Sequence, residues 1–300
     1  MRFACIHTHT NFCDGKDDIE SNCRFAHKKG LKSLGFSAHA PVTKKTGLMT
    51  GWHLSDGRLE EYIDCVNAAK KRWEGKLPVY LGLEVDFIEG LMGPADRDYR
   101  EMGLDYIIAS VHYVFPPRGE PFTVDDSAEA VSRGIKEGYG GDIEGMLEAY
   151  LDSEAAMIRA GGFDVLGHPD LVKVNKARLE EAGFYRKKTK ALASLMAAQR
   201  QGSQNNIGPV VEINTGGLNR LRINECYPSP DFLKLFQKQG IPMVINADAH
   251  RAEDLDGHYQ TAREALISAG YTETVLFMGR QNGKAAWETE QLGVSQEPAR

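Results

Sequence analysis

Three hundred residues, 42% apolar and 26% charged, make a chain able to bury a substantial core, and no apolar run approaches the ~18 residues of a membrane span. The formal net charge of −6 argues against an extended nucleic-acid surface, though a local basic patch would not show in a total. Five cysteines, odd in number and without C-x-x-C spacing, argue against a disulfide framework; with a start that shows no apolar leader, they suit a soluble cytoplasmic protein.

The chain reads as strand followed by helix, repeatedly. A strand over 1–6 leads into His7-Thr8-His9, and its period of two projects both imidazoles together. A helix over 18–30 ends at Gly30. The next apolar run, 31–37, leads to His39, and Pro41 then stops regular structure. A loop over 42–55, containing Trp52 and His53, precedes a helix running to about Trp73 with Leu59, Tyr62, Ile63 and Val66 as its stripe. The third strand, 79–83, ends in Glu84-Val85-Asp86; a helix over 94–102 follows, and the fourth strand, 105–111, delivers His112.

Residues 114–142 read as irregular and as a possible lid, since a segment that long inside a compact domain usually serves function. A helix over 143–160 is followed by a fifth strand, 163–167, ending in His168-Pro169-Asp170. Residues 177–201 are mostly helical with a break near Gly183. A sixth strand over 210–214 ends in Thr215-Gly216-Gly217, and a helix runs from Ser229 or Pro230 to about Gln239. The seventh strand, 242–246, ends in Ala247-Asp248-Ala249-His250. After a helix over 258–269 no further element is assigned before a polar tail from Thr289.

Alternation of this kind implies a parallel sheet, and seven units without a break in composition favour one α/β barrel over 1–288, with 289–300 as the tail. Barrel chemistry sits at the C-terminal strand ends. Those ends supply His7, His9, Asp14, His39, Glu84, His112, His168, Asp248 and His250, six of the nine histidines among them. One zinc ion takes about three or four protein ligands, so nine donors point to two or three divalent ions. Glu84 and Asp248 can bridge ions, and Asp248 with His250 are possible proton handlers; these three are the expected catalytic residues.

A phosphate group would want a cation, for which Arg251, Lys173, Arg220 and Arg222 are candidates, and His53 is placed to touch substrate. Asp86, Asp170 and Glu212 lie near strand exits, either to receive a substrate cation or to orient a ligating histidine; Asp170, two residues beyond His168, is expected to do the second. Cys13 reads as a half-buried filler near the histidine pair. His27 and His258 are given no site role.

Taken together, HTHTNFCDG from residue 7, SAH, GLEVDF, SVHYV, DVLGHPDLV, EINTGG and NADAH to residue 250 resemble the PHP (polymerase and histidinol phosphatase) family and its histidinol-phosphatase branch. Some members carry histidine where this chain has Asp14, and aspartate there suits that branch. The resemblance implies a distorted seven-stranded TIM-like barrel and a trinuclear site of zinc, manganese or iron. One ion would be held by His7, His9, Glu84 and Asp248, a second by Glu84, His112 and His168, and a third by Asp14, His39 and His250. The implied reaction is hydrolysis of L-histidinol phosphate to L-histidinol and phosphate, in histidine biosynthesis, by attack of a metal-bridging hydroxide on phosphorus. The alternatives are a nucleotide phosphoesterase or exonuclease of the same superfamily and a non-catalytic metal-binding module. The expected partner is a small phosphomonoester, with neither nucleic acid nor membrane involved.

Overall fold

A computed structural model describes residues 3–42, 44–48, 50–175, 183–201 and 207–293. Its elements are β1 (Ala4–Cys5), α1 (Ile19–Lys29), β2 (Ser33–His39), α2 (Leu59–Arg72), β3 (Val79–Asp86), α3 (Arg97–Glu101), β4 (Tyr106–Ser110), β5 (Tyr113–Val114), β6 (Phe122–Thr123), α4 (Ala128–Tyr139), α5 (Ile143–Ala160) and β7 (Val165–Leu166). They continue with α6 (Gly183–Arg200), β8 (Val210–Asn214), α7 (Gly216–Asn219), α8 (Pro230–Lys238), β9 (Met243–Asn246), α9 (Tyr259–Ser268), β10 (Glu273–Gln281) and β11 (Lys284–Gln291).

Seven parallel strands form one sheet in the order β1-β2-β3-β4-β7-β8-β9. The sheet closes on itself where Thr8 bridges Ala249, with His9 N–H donating to Ala249 O (2.8 Å) and Ala249 N–H to His7 O (3.1 Å). That seam puts the His-x-His turn beside the Asp-x-His turn. Strands covered on both faces read as continuous apolar runs, and every residue of β2, β4, β8 and β9 is buried. Between sheet and helices lies the larger core, to which Phe36, Leu81, Tyr150, Phe232 and Phe236 contribute.

Local chemistry sets the helix ends. The Asp18 carboxylate accepts Ser21 N–H at the start of α1, and Gly30 ends the helix in the left-handed conformation.

The barrel interior is filled by Ile6, Tyr106, Ile108, Val165, Val210 and Val244. Tyr106 lies across it and donates to Ile6 O (2.5 Å). Glycine is needed beside this ring: a Cβ on Gly82 would stand 2.4 Å from it. The β10–β11 hairpin plugs the end opposite the histidines, with Phe277 5.2 Å from Tyr106 and Arg280 bonded to Asp105 O and Asp164, which precede β4 and β7.

Several expectations are corrected. The hairpin occupies residues left unassigned, and β11 takes in Thr289–Gln291 of the expected tail. Charged residues at its exposed positions make it read as tail while Val275, Phe277 and Ala285 are buried. Residues 294–300 lie outside the described residues. The supposedly irregular 114–142 segment holds the antiparallel pair β5–β6 and helix α4. Ser127, accepting Ala130 N–H, and left-handed Gly140 bound α4; glycine and acid content had obscured these caps. The helix expected over 94–102 spans only Arg97–Glu101; of the one expected over 177–201, Gly183–Arg200 is helical and 177–182 lie outside the described residues. Among the described residues no helix is long and apolar enough to cross a membrane.

Candidate metal centre

All nine predicted donors come together at the C-terminal mouth of the barrel, and Glu84 is their hub. It lies two residues before the end of β3, in register with His39 at the end of β2, so the two side chains face the same way. Glu84 Oε2 lies 3.0 Å from His39 Nδ1, 3.2 Å from His7 Nε2 and 3.5 Å from His9 Nε2. Its Oε1 lies 3.0 Å from His168 Nε2 and 3.6 Å from His112 Nε2, and accepts Ser110 Oγ–H at 2.6 Å.

Asp248 Oδ1 stands 3.2 Å from His9 Nε2 and 3.6 Å from His7 Nε2. Half-buried Asp14 places Oδ2 3.0 Å from His250 Nε2 and Oδ1 3.7 Å from both His9 Nδ1 and His39 Nε2.

The donor atoms fall into four overlapping groups, each within 4.8 Å: His9-Asp14-His39-His250, His7-His168-Asp248, His7-His9-Glu84 and His39-Glu84-His112. These groups cross the three-ion partition the resemblance implies, because His9 joins the Asp14 group and His168 joins His7 with Asp248. His7 Nε2, His9 Nε2, His39 Nδ1, Asp14 Oδ1 and Glu84 Oε2 are buried without a hydrogen-bond partner. Orphaned buried polar atoms are rare, and these five belong to candidate metal donors gathered in one place, so the residues fit divalent metal.

The two central carboxylates and His9 hold the charge states that metal binding requires, whereas His112 would have to give up a proton. Burial disfavours charge on Glu84 and Asp248, yet surrounding histidines hold the first, and Arg220 with His7 the second, well below the usual carboxylate range. Burial, reinforced by His39 and His250, pushes His9 down to about 3, which leaves it neutral. Burial opposes charge on His112 too, but Asp86 and Glu84 outweigh it and lift the imidazole to about 10.

Of the three buried carboxylates near strand exits, two contact a donor histidine. Glu212 Oε2 lies 2.9 Å from His7 Nδ1 and accepts Asn246 Nδ2–H (2.9 Å); its Oε1 accepts Asn214 Nδ2–H (2.8 Å) and His168 N–H (3.0 Å). Asp86 Oδ1 lies 2.8 Å from His112 Nδ1, and Oδ2 lies 2.8 Å from His53 Nε2. Asp170 does not hold His168: its carboxylate accepts Ser229 N–H (2.7 Å) and faces Lys173 (3.4 Å). Side chains two apart diverge where a turn follows the strand, which is why the spacing misled.

Facing the donors is a cavity of about 360 Å³, lined also by Trp52, Asp125, Asp126, Arg220 and Arg222. Arg220 donates to Asp248 Oδ2 (3.0 Å) and approaches His250 Nδ1 (2.9 Å); Arg222 donates to Asp126 O (3.1 Å). The other three substrate candidates point elsewhere. Lys173 is buried against Glu225 (2.9 Å) and Cys226 O (2.7 Å). Arg251 is exposed and pairs with Glu253. His53 is buried behind His112, with Nδ1 on Thr50 Oγ1 (2.5 Å) and Nε2 on Asp86. Cys13, half-buried, has its thiol 3.6 Å from His9 Nδ1 and pushed up to about 11, chiefly by burial. Trp52, Asp125 and Asp126 escaped sequence reasoning because they lie on connections rather than at barrel-strand exits.

The family described as PHP domain matches residues 6–216. A Deinococcus radiodurans protein named a probable histidinol-phosphatase is 29% identical over 276 residues, covering 92% of this chain and 96% of that one. The histidinol-phosphatase of Bacillus subtilis is 28% identical over 270 residues, covering 86% and 97%. Among solved structures, histidinol phosphate phosphatase from Lactococcus lactis, complexed with zinc, L-histidinol and phosphate, shares the fold with a TM-score of 0.63 at 19% identity, covering 95% of this chain and 98% of that one.

Proposed function

The chain belongs to the PHP domain family, and we propose that it is a metal-dependent phosphatase hydrolysing L-histidinol phosphate to L-histidinol and phosphate. The observation that carries the reading is Glu84, a buried carboxylate facing five histidines at the mouth of a cavity bordered by two arginines. A closed structural zinc cage has four ligands and no spare carboxylates, so this arrangement favours catalysis. Relatives named histidinol-phosphatase that match most of this chain support the choice of substrate.

Two or three divalent ions would be held by His7, His9, Asp14, His39, Glu84, His112, His168, Asp248 and His250. Such ions supply a nucleophilic hydroxide at neutral pH and neutralise charge on the phosphoryl oxygens. The nitrogen and oxygen donors suit zinc, manganese or iron. Glu212 and Asp86 keep His7 and His112 turned so that Nε2 faces Glu84. Arg220 and Arg222 orient the phosphate, and arginine suits this because its planar fork matches phosphate oxygens. Of the two expected proton handlers, Asp248 is held ionised, so the leaving alkoxide's proton is assigned to His250, the more open to solvent (18% against 6% for the side chains).

The test is to count metals in purified protein and assay it against L-histidinol phosphate, other phosphomonoesters and single-stranded DNA. Selective turnover of L-histidinol phosphate is expected. Comparable rates on every monoester would reject the substrate assignment, and no turnover with any of the three metals would reject catalysis.

A further inference from the structure

Trp52 stands on the connection between β2 and α2 and borders two cavities. One is the metal cavity; the other, of about 390 Å³, is lined by Tyr113, Phe122, Glu120, Arg133 and Glu137. Thr123 and Asp126 also border both. The indole meets His39 edge-on (4.5 Å between centroids, 84°) and lies 5.3 Å from His112. It runs nearly parallel to Tyr113 (5.8 Å, 15°).

Its neighbour holds it there. His53 packs at 3.7 Å against the indole while its nitrogens engage Thr50 and Asp86, the carboxylate that also orients His112. The two-residue unit is therefore tied to the metal ligands on one side and presents an aromatic wall on the other.

We propose that Trp52 is a specificity-determining residue, the platform on which a planar leaving group rests, and that His53 is the positioning residue that sets it. The inference rests on the phosphatase reading above. With phosphate drawn to the metal donors and the arginines, the organic group extends past Trp52 into the second cavity. A volume of this size takes a small organic group. Glu120, Asp126 and Glu137 outnumber Arg133 in its lining, so a positively charged ring is favoured. An aromatic contact of this kind is worth up to about tenfold in affinity beyond burial.

The experiment compares kcat/KM for L-histidinol phosphate, p-nitrophenyl phosphate and 2-aminoethyl phosphate in wild type, Trp52→Ala, Trp52→Phe, His53→Ala and His53→Gln. In Trp52→Ala the ratio of ring-bearing to ring-free kcat/KM falls about tenfold, through KM, and Trp52→Phe restores part of it. His53→Ala lowers the same ratio and His53→Gln, which keeps a donor for Asp86, recovers part. Calorimetric titration with L-histidinol gives a readout apart from turnover: Trp52→Ala binds it about tenfold more weakly. Equal losses on all three esters, or an unchanged ratio, would overturn the proposal. Wild type that cleaves p-nitrophenyl phosphate but not L-histidinol phosphate would sink the substrate assignment alone, leaving the ring preference open to the same measurement.

Discussion

Glu212 grips His7 from behind the site: Oε2 lies 2.9 Å from His7 Nδ1, which leaves Nε2 as the nitrogen facing Glu84 and Asp248. The same carboxylate accepts from two asparagines and the His168 amide, so its acceptor capacity is used in full. Replacing it with glutamine keeps the shape and removes the charge. Glu212→Gln is expected to weaken metal affinity by about 10–100-fold, measured by competition with a chelating dye, while the folded spectrum is retained. Unaltered affinity would show that His7 needs no carboxylate to hold its orientation.

Glu84→Ala and His168→Ala test the hub. Both residues are buried, but their partners are other site residues rather than the apolar core. Each substitution should remove most activity and leave the metal-free protein folded. Metal binding stabilises only the folded state, by ~2.7 kcal/mol at a ligand concentration 100 times Kd. Zinc should therefore raise Tm in wild type and raise it less in either variant. A wild-type Tm indifferent to zinc, manganese and iron would contradict the metal centre.

The donors were legible because their chemistry is unusual at strand exits: histidine in six such places has few structural explanations. Buried parallel strands were also visible as apolar runs. Adjacency in sequence was a poorer guide. Arg251 follows His250 yet points to solvent, whereas Arg220, thirty residues earlier, reaches Asp248 because α7 ends beside that turn. The β10–β11 hairpin went unseen because charged and polar side chains, Glu273, Arg280 and Lys284 among them, take its exposed positions and break up the apolar pattern.

Leu221 separates the two cavity arginines and holds φ at +54°, with 90% of its surface exposed. The backbone explains why: Arg222 N–H returns to Gly217 O (2.9 Å) and Leu221 N–H to Leu218 O (3.0 Å), a helix end that glycine normally occupies. A left-handed non-glycine residue costs roughly 1–2 kcal/mol. Leu221→Gly should relieve that cost, offset in part by unfolded-chain entropy, for a net gain of up to about 1 kcal/mol in urea unfolding. Leu221→Val, branched at Cβ in the same conformation, should lose stability. A loss on going to glycine would mean that the leucine side chain makes contacts that matter.

Glu154 gives the clearest dependence on pH. It sits fully buried on α5, its Oε1 accepting Tyr150 O–H (3.0 Å) and its Oε2 without a partner. Burial pushes its carboxyl well above the usual range; Tyr150 works against that, and the Asp170 charge adds to it. The folded protein therefore holds this proton more tightly than the unfolded chain, whose glutamate titrates near ~4.3. Where the native state binds more protons, stability falls as pH rises. The contribution is fully present below the unfolded value and declines above it, until the folded value is passed. Glu154→Gln removes the titration while keeping an amide for Tyr150 to bond. The variant should gain on wild type in urea unfolding as pH rises from 5 to 8, by ~1.4 kcal/mol for each pH unit over which only the native glutamate stays protonated. Parallel stability profiles for the two proteins across that interval would mean that Glu154 is already ionised in the native state.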